Sequence, residues 1–253
     1  MNKTRVIPVL LLRGKGLVKT VKFKDPKYIG DPINSVRIFN EKEVDELVFL
    51  DIFATREGRG PDFDLLADIA GEAFMPMAYG GGITSLEQIR QVFALGFEKI
   101  VIDSAAYGGG ALIREASAVF GAQSIVGCVD VRRTLLGRYE LLSHAGKTKQ
   151  AVGLVDHVKA LERQGAGEII VNAIDRDGTQ SGYDLKLIRE VASAVQVPVV
   201  ACGGAGSLDD MAAAVHEAGA SAVAAGSLFV FVGPHRAVLI NYPPRAELAK
   251  RLP

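Results

Sequence analysis

Three aspartates stand where a carboxylate could move protons: Asp51 and Asp130 each close a short apolar run, and Asp177 lies just beyond another. A carboxylate at the end of a strand, on the rim of an apolar interior, is partly stripped of water, which raises its pKa toward the range of a general acid or base. Asp130 leads this group, with Asp51 and Asp177 as possible supporting acid/base residues; pairing of Asp130 with Arg132 or Arg133 is the plainer alternative. A second set of residues could hold anions. Gly80-Gly81-Gly82, Asp103-Ser104, Asp175-Arg176-Asp177-Gly178-Thr179, Gly203-Gly204-Ala205-Gly206 and Gly226-Ser227 all follow apolar runs. Paired glycines let backbone N–H groups approach an anion, and a following helix start adds its positive end. Two such pairs at one sequence offset suggest two phosphate sites facing each other, spanned by a bisphosphorylated ligand. Tight turns alone would also explain the glycines.

Other chemistries find no support. No His stands in ligand spacing with another His, a Cys or a carboxylate cluster, so no metal is expected, and no motif asks for a cofactor. No Ser–His–Asp or Cys–His arrangement is apparent. The 29 Lys and Arg balance the 29 Asp and Glu, leaving no global field for nucleic acid or an anionic membrane. The one basic concentration, Lys15–Lys27, carries Lys19, Lys22, Lys24 and Lys27; it is either a solvated loop or an element that closes over a phosphorylated ligand. Cys128 and Cys202 sit inside apolar runs and read as reduced, buried thiols of a cytoplasmic protein. No apolar run approaches the roughly 18 residues of a membrane span.

The elements that must position these residues repeat. Glu46-Leu47-Val48-Phe49-Leu50 corresponds to Glu168-Ile169-Ile170-Val171-Asn172, Gly81 to Gly203, Ser85 to Ser207 and Asp62 to Asp184, all at a single offset. Apolar runs at Val6–Leu11, Leu47–Ile52, Pro76–Tyr79, Ile100–Ile102, Ile125–Val129, Ile169–Ile174, Val197–Ala201 and Ala222–Ala225 alternate with stretches of helical spacing, including Leu86–Leu95 and Met211–Ala218. Eight βα units with uniformly apolar strands predict a closed (β/α)8 barrel, a TIM barrel, over 1–253, built from half-barrels of roughly 1–122 and 123–253. A doubly wound open sheet is the alternative. It would need edge strands, and none of the runs is polar.

Arg5-Val6-Ile7-Pro8, Gly30-Asp31-Pro32, Glu46–Asp51, Gly80–Ile83, Asp175–Thr179 and Gly203–Gly206 together resemble the cyclase subunit of imidazole glycerol phosphate synthase, over nearly the whole chain. The resemblance implies a barrel that takes ammonia from a glutaminase partner docked at its N-terminal face. In the histidine pathway that ammonia cleaves and cyclises a bisphosphorylated ribulosyl-aminoimidazole. It further implies an ammonia gate at Arg5, Glu46, Lys99 and Glu168, phosphate-binding positions at Gly82, Ser104, Gly178, Gly204, Gly226 and Ser227, and a loop lysine at Lys19.

Two positions depart from that pattern. The family's two catalytic aspartates end the first and fifth strands; the second is Asp130, but the first falls on Leu11, which carries no proton. The usual Asn after the fourth strand is Asp103, beside Ser104, where a carboxylate would repel a phosphate. Together with Lys19–Tyr28 and the tail Gly233–Pro243, the change at Leu11 is similar to a paralogous branch associated with surface polysaccharide synthesis. That branch implies an ammonia-channelling synthase/lyase-type subunit of a glutamine amidotransferase complex, serving a separate sugar amidotransferase that turns an acetamido group on a nucleotide-linked sugar into an acetamidino group. The alternatives are a cyclase of histidine biosynthesis and, further off, a phosphoribosyl-aldose isomerase.

Overall fold

The computed structural model describes residues 3–253. Eight parallel strands close into a barrel: β1 (Arg5–Arg13), β2 (Leu47–Asp51), β3 (Met77–Gly80), β4 (Lys99–Ile102), β5 (Ile125–Arg133), β6 (Glu168–Ala173), β7 (Val199–Cys202) and β8 (Ala222–Ala225). Each pairs with its chain neighbours, and β8 returns to β1 with Arg5 opposite Ala222 and Pro8 opposite Ala225. The eight strands coincide with the eight apolar runs.

Both faces of every barrel strand are covered. Val6, Leu10, Leu12, Leu47, Phe49, Ile169 and Val171 face outward into a layer shared with the helices, whereas Ile7, Val9, Leu11, Val48, Val101, Val126, Ile170 and Val200 fill the barrel. Removing such side chains from water contributes about 1.5–3 kcal/mol each, the main term that closes the sheet.

Helices α1 (Pro32–Glu41), α2 (Phe63–Glu72), α3 (Leu86–Ala94), α4 (Ala111–Phe120), α5 (Leu154–Gln164), α6 (Leu185–Ala192) and α7 (Leu208–His216) form the outer ring, followed by the short α8 (Ser227–Val230) and α9 (Arg245–Ala249). Their starts preserve the repeat. Asp62 and Asp184 cap α2 and α6 by accepting from Leu65 and Leu187 N–H, and Ser85 and Ser207 cap α3 and α7 through Gln88 and Asp210 N–H. The helix expected from Met211 therefore begins at Leu208, because Ser207 caps it directly. No described helix is long and apolar enough to cross a membrane.

Strands β1 and β5 each run to nine residues and carry an antiparallel hairpin past the barrel rim. The first is Gly16–Val21 with Lys24–Gly30, and the second is Tyr139–Ser143 with Thr148–Lys149. Lys15–Lys27 is thus ordered β structure. Lys22, Lys24 and Lys27 are exposed, while Lys19 turns into the mouth at 6% exposure.

Candidate functional site

At the N-terminal end of the barrel, Arg5, Glu46, Lys99 and Glu168 form a closed ring of alternating charge. Arg5 donates to both glutamates; Lys99 Nζ lies 3.0 Å from Glu46 Oε2 and 3.0 Å from Glu168 Oε2. The glutamates are buried, at 4% and 6% exposure. Each has a cation on either side, which offsets the cost of taking a carboxylate from water. Above the ring the interior narrows to aliphatic side chains and small residues, among them Ala78, Cys128, Ala222 and Ala224.

At the opposite end a cavity of about 300 Å³ gathers Leu11, Lys19, Asp51, Gly82, Asp103, Ser104, Asp130, Asp177, Gly178, Gly204, Gly226 and Ser227. Of the residues singled out for acid/base or anion chemistry, these border the mouth, whereas Asp175, Arg176, Thr179 and Gly206 lie outside its lining. Leu11 belongs to the interior row with Ile7 and Val9, so hydrocarbon occupies the β1 end of the cavity wall.

Asp130 is buried, and its Oδ1 accepts from Asn172 Nδ2 at 3.1 Å from the adjacent strand. Burial pushes its carboxyl well above the ordinary range, and the charges of Asp103 and Asp177 push it further; the Asn172 bond opposes them. Arg132 turns instead toward Glu140, at 3.4 Å. Asp177 accepts from Thr20 Oγ1 at 3.0 Å. Burial raises its carboxyl, while the Lys19 charge pulls it down.

Asp51, expected as a supporting acid/base residue, borders the cavity but is tied to its own loop. It follows Leu47 and Phe49 on the outward parity of β2, and Arg59 clamps its carboxylate, Nη1 to Oδ2 at 2.7 Å and Nη2 to Oδ1 at 3.1 Å. Phe53 and Ala54 N–H also donate to Oδ1, each at 3.0 Å. A carboxylate with four donors from its own loop serves to hold that loop.

Asp103 takes a larger part than its neighbourhood with Ser104 suggested. Its Oδ2 accepts from Ser104 Oγ at 2.9 Å, and its Oδ1 is shielded from solvent without a partner. Burial pushes this carboxyl up to about 7. Lys99, Val101 and Asp103 alternate inward on β4 and just past it, as Val126, Cys128 and Asp130 do on β5, with Val101 opposite Val126. The mouth therefore holds two carboxyls on adjacent strands whose named partners, Ser104 and Asn172, are neutral.

The two glycine turns match. Gly81 and Gly203 have φ of 119° and 84°, Gly82 and Gly204 of 70° and 119°, all in the region that side chains disfavour. A Cβ on Gly82 would stand 2.5 Å from Arg59 O, and one on Gly204 2.3 Å from Gly182 O, so close loop packing also requires these glycines. The polar groups beside them differ. In the first half, Gly82 N–H donates to Thr55 Oγ1 at 3.2 Å, and Ser104 Oγ accepts from His144 N–H at 2.9 Å while donating to Asp103. In the second half, the Lys19 ammonium donates to Val9 O at 2.8 Å and packs over Gly226. Burial lowers its pKa and the Asp177 charge raises it. Arg236 donates to Gly178 O at 3.0 Å and to Ser227 Oγ at 3.4 Å.

Asn172, His144 and Arg236 were not singled out from sequence. Asn172 could have been found as an amide inside an otherwise apolar run; the other two lie in hairpins that reach the mouth only after folding.

The chain matches the family model described as "Histidine biosynthesis protein" over residues 5–233. It is 54% identical over 243 residues to a Pseudomonas aeruginosa protein provisionally named imidazole glycerol phosphate synthase subunit hisF2, covering 96% of this chain and 97% of that one. It is 48% identical over 253 residues to a Vibrio vulnificus protein provisionally named subunit hisF3, covering 100% and 97%. A similarly named Leptospira interrogans protein is 48% identical over 248 residues, covering 98% of each. With the eight-stranded barrel and near-complete coverage of its relatives, the chain belongs to the histidine-biosynthesis protein family and is similar to proteins named as subunits of imidazole glycerol phosphate synthase.

Proposed function

We propose that the protein is an ammonia-receiving subunit that works with a glutaminase partner docked at the N-terminal face of the barrel. The observation that carries this reading is the position of the Arg5–Glu46–Lys99–Glu168 ring on the barrel axis, opposite a largely apolar mouth that holds the Asp130 carboxyl. Ammonia entering past the ring would travel through an apolar interior that offers few groups to protonate it. It would emerge beside Asp130, where a phosphorylated acceptor is held by Gly178, Gly204, Gly226, Ser227 and Lys19.

The acceptor we propose is a nucleotide-linked sugar whose acetamido group becomes an acetamidino group in surface polysaccharide synthesis, with a separate sugar amidotransferase taking part. Leu11 supports this reading. A general acid or base is typically worth about 10²–10⁴ in rate, and β1 itself presents only the hydrocarbon of Leu11 to the mouth. One observation favours the second reading, cyclisation in histidine biosynthesis: Asp103 brings another carboxyl to the cavity that contains Asp130.

Purified barrel with excess ammonium salt and the bisphosphorylated ribulosyl-aminoimidazole separates the two. Under the amidation reading the wild type gives no turnover and Leu11→Asp restores some; turnover at a rate of about 1 s⁻¹ or above by the wild type, within the common enzymatic range, would establish the cyclase instead.

A further inference from the structure

The two halves of the mouth, alike in backbone, differ in how their polar groups are engaged. At the second-half end two cations converge. Lys19 Nζ has one of its three N–H groups on Val9 O, and Arg236 has two of its five on Gly178 O and Ser227 Oγ, so both keep donors to offer. Arg236 is set there by the tail hairpin, Phe231–Val232 against Ala237–Val238, with its guanidinium 4.6 Å from the centre of the Phe231 ring.

At the first-half end the corresponding groups are already engaged. Gly82 N–H is held by Thr55, and Ser104 Oγ both donates to Asp103 and accepts from His144 N–H. Arg13 and Arg56 stack on the Phe53 ring at 4.7 and 5.0 Å, and Arg56 also borders the cavity. Beside Ser104, Asp103 Oδ1 is buried and unpartnered, a group that a second phosphate would meet with like charge and that a hydroxyl or amide N–H would satisfy.

We propose that the mouth takes a ligand with phosphate at one end only, held by Lys19 and Arg236 beside Gly178 and Ser227, and that Asp103 selects a neutral hydroxyl- or amide-bearing group at the other end. The proposal rests on the reading that a phosphorylated acceptor occupies the mouth, and it narrows that acceptor's class. A sugar linked through a phosphate belongs to it; a bisphosphate with an anion at each end does not.

The test is calorimetric titration at pH 8 of the full chain, with inorganic phosphate, a pentose 5-phosphate and a ketopentose 1,5-bisphosphate as probes. The wild type should bind one inorganic phosphate per chain and prefer the bisphosphate to the monophosphate by less than tenfold. Asp103→Asn should raise that preference to tenfold or more, and a Lys19→Met, Arg236→Ala double variant should weaken the monophosphate at least tenfold. Two phosphates per wild-type chain, no phosphate binding at millimolar concentration, a wild-type bisphosphate preference of tenfold or more, or failure of either variant to behave as stated would overturn the proposal. The titration contains neither glutamine nor ammonia, so its failure leaves the ammonia reading intact. Failure of the glutaminase pairing would likewise leave the titration interpretable.

Discussion

Replacing Asp103 with Asn should make the protein more stable, and increasingly so as the pH rises. In the fold, burial pushes the Asp103 carboxyl up to about 7 from an ordinary value of 3.8, so the folded chain holds a proton that the unfolded chain releases between those two values. Stability falls with rising pH wherever the native state binds more protons; the wild type therefore loses stability across that window, and the loss is complete above it. At about 1.4 kcal/mol per pH unit, the full cost near pH 8 is about 4 kcal/mol as an upper limit, against about 2 at pH 5. Asn occupies nearly the same volume, its carbonyl can still accept from Ser104 Oγ, and it has no charge to desolvate. Urea unfolding of wild type and Asp103→Asn at both pH values reads the result. The variant's advantage should be about 2–3 kcal/mol larger at pH 8 than at pH 5, or about 5–10 °C in Tm. An advantage that does not change with pH, or a variant less stable than wild type at pH 8, would show that Asp103 is not held protonated by its surroundings.

Three further outcomes are expected. Lys99→Ala leaves Glu46 and Glu168 with Arg5 as their only cation in the ring, and it should alter glutamine-dependent but not ammonium-dependent activity of the assembled complex; equal effects in parallel assays would contradict a gating role. Leu11→Asp inserts a carboxyl into the interior row with Val9 and should cost about 2–4 kcal/mol at pH 8 and less at pH 5, measured by urea midpoints, because a protonated carboxyl is cheaper to bury. Gly204→Ala places a Cβ 2.3 Å from Gly182 O at φ 119° and should cost at least about 2 kcal/mol, whereas Gly71→Ala, in α2 with open space around it, should gain about 0.5–1 kcal/mol; thermal melts of both check this.

The mouth also shows why strand-end residues are hard to assign in a barrel of this kind. Asp51 and Asp130 both end apolar runs, yet Asp51 points outward to Arg59 and Asp130 inward to Asn172. Alternation of polar and apolar residues ordinarily reveals which side of a strand is wet. In β2 both sides are buried, so Val48 and Phe49 face different layers without differing in polarity. Asp103 presents the converse problem. Its proximity to Ser104 was evident in sequence, but the fact that Ser104 is engaged from the other side by His144 depends on a hairpin forty residues away along the chain.

The plan was legible along the chain: eight apolar runs, a repeat that places Gly81 over Gly203 and Asp62 over Asp184, and the capping serines, all local features whose physics is complete within a few residues. Which carboxyls share a cavity, and which glycine turn has cations beside it, came only with the folded chain. Those properties depend on strand register and on hairpins reaching over the mouth, as when Lys19 crosses from the first half to rest over Gly226 and Arg236 bridges Gly178 to Ser227 within the second. Charge and desolvation act through space, between residues far apart in the chain, and so become fixed only when the barrel closes.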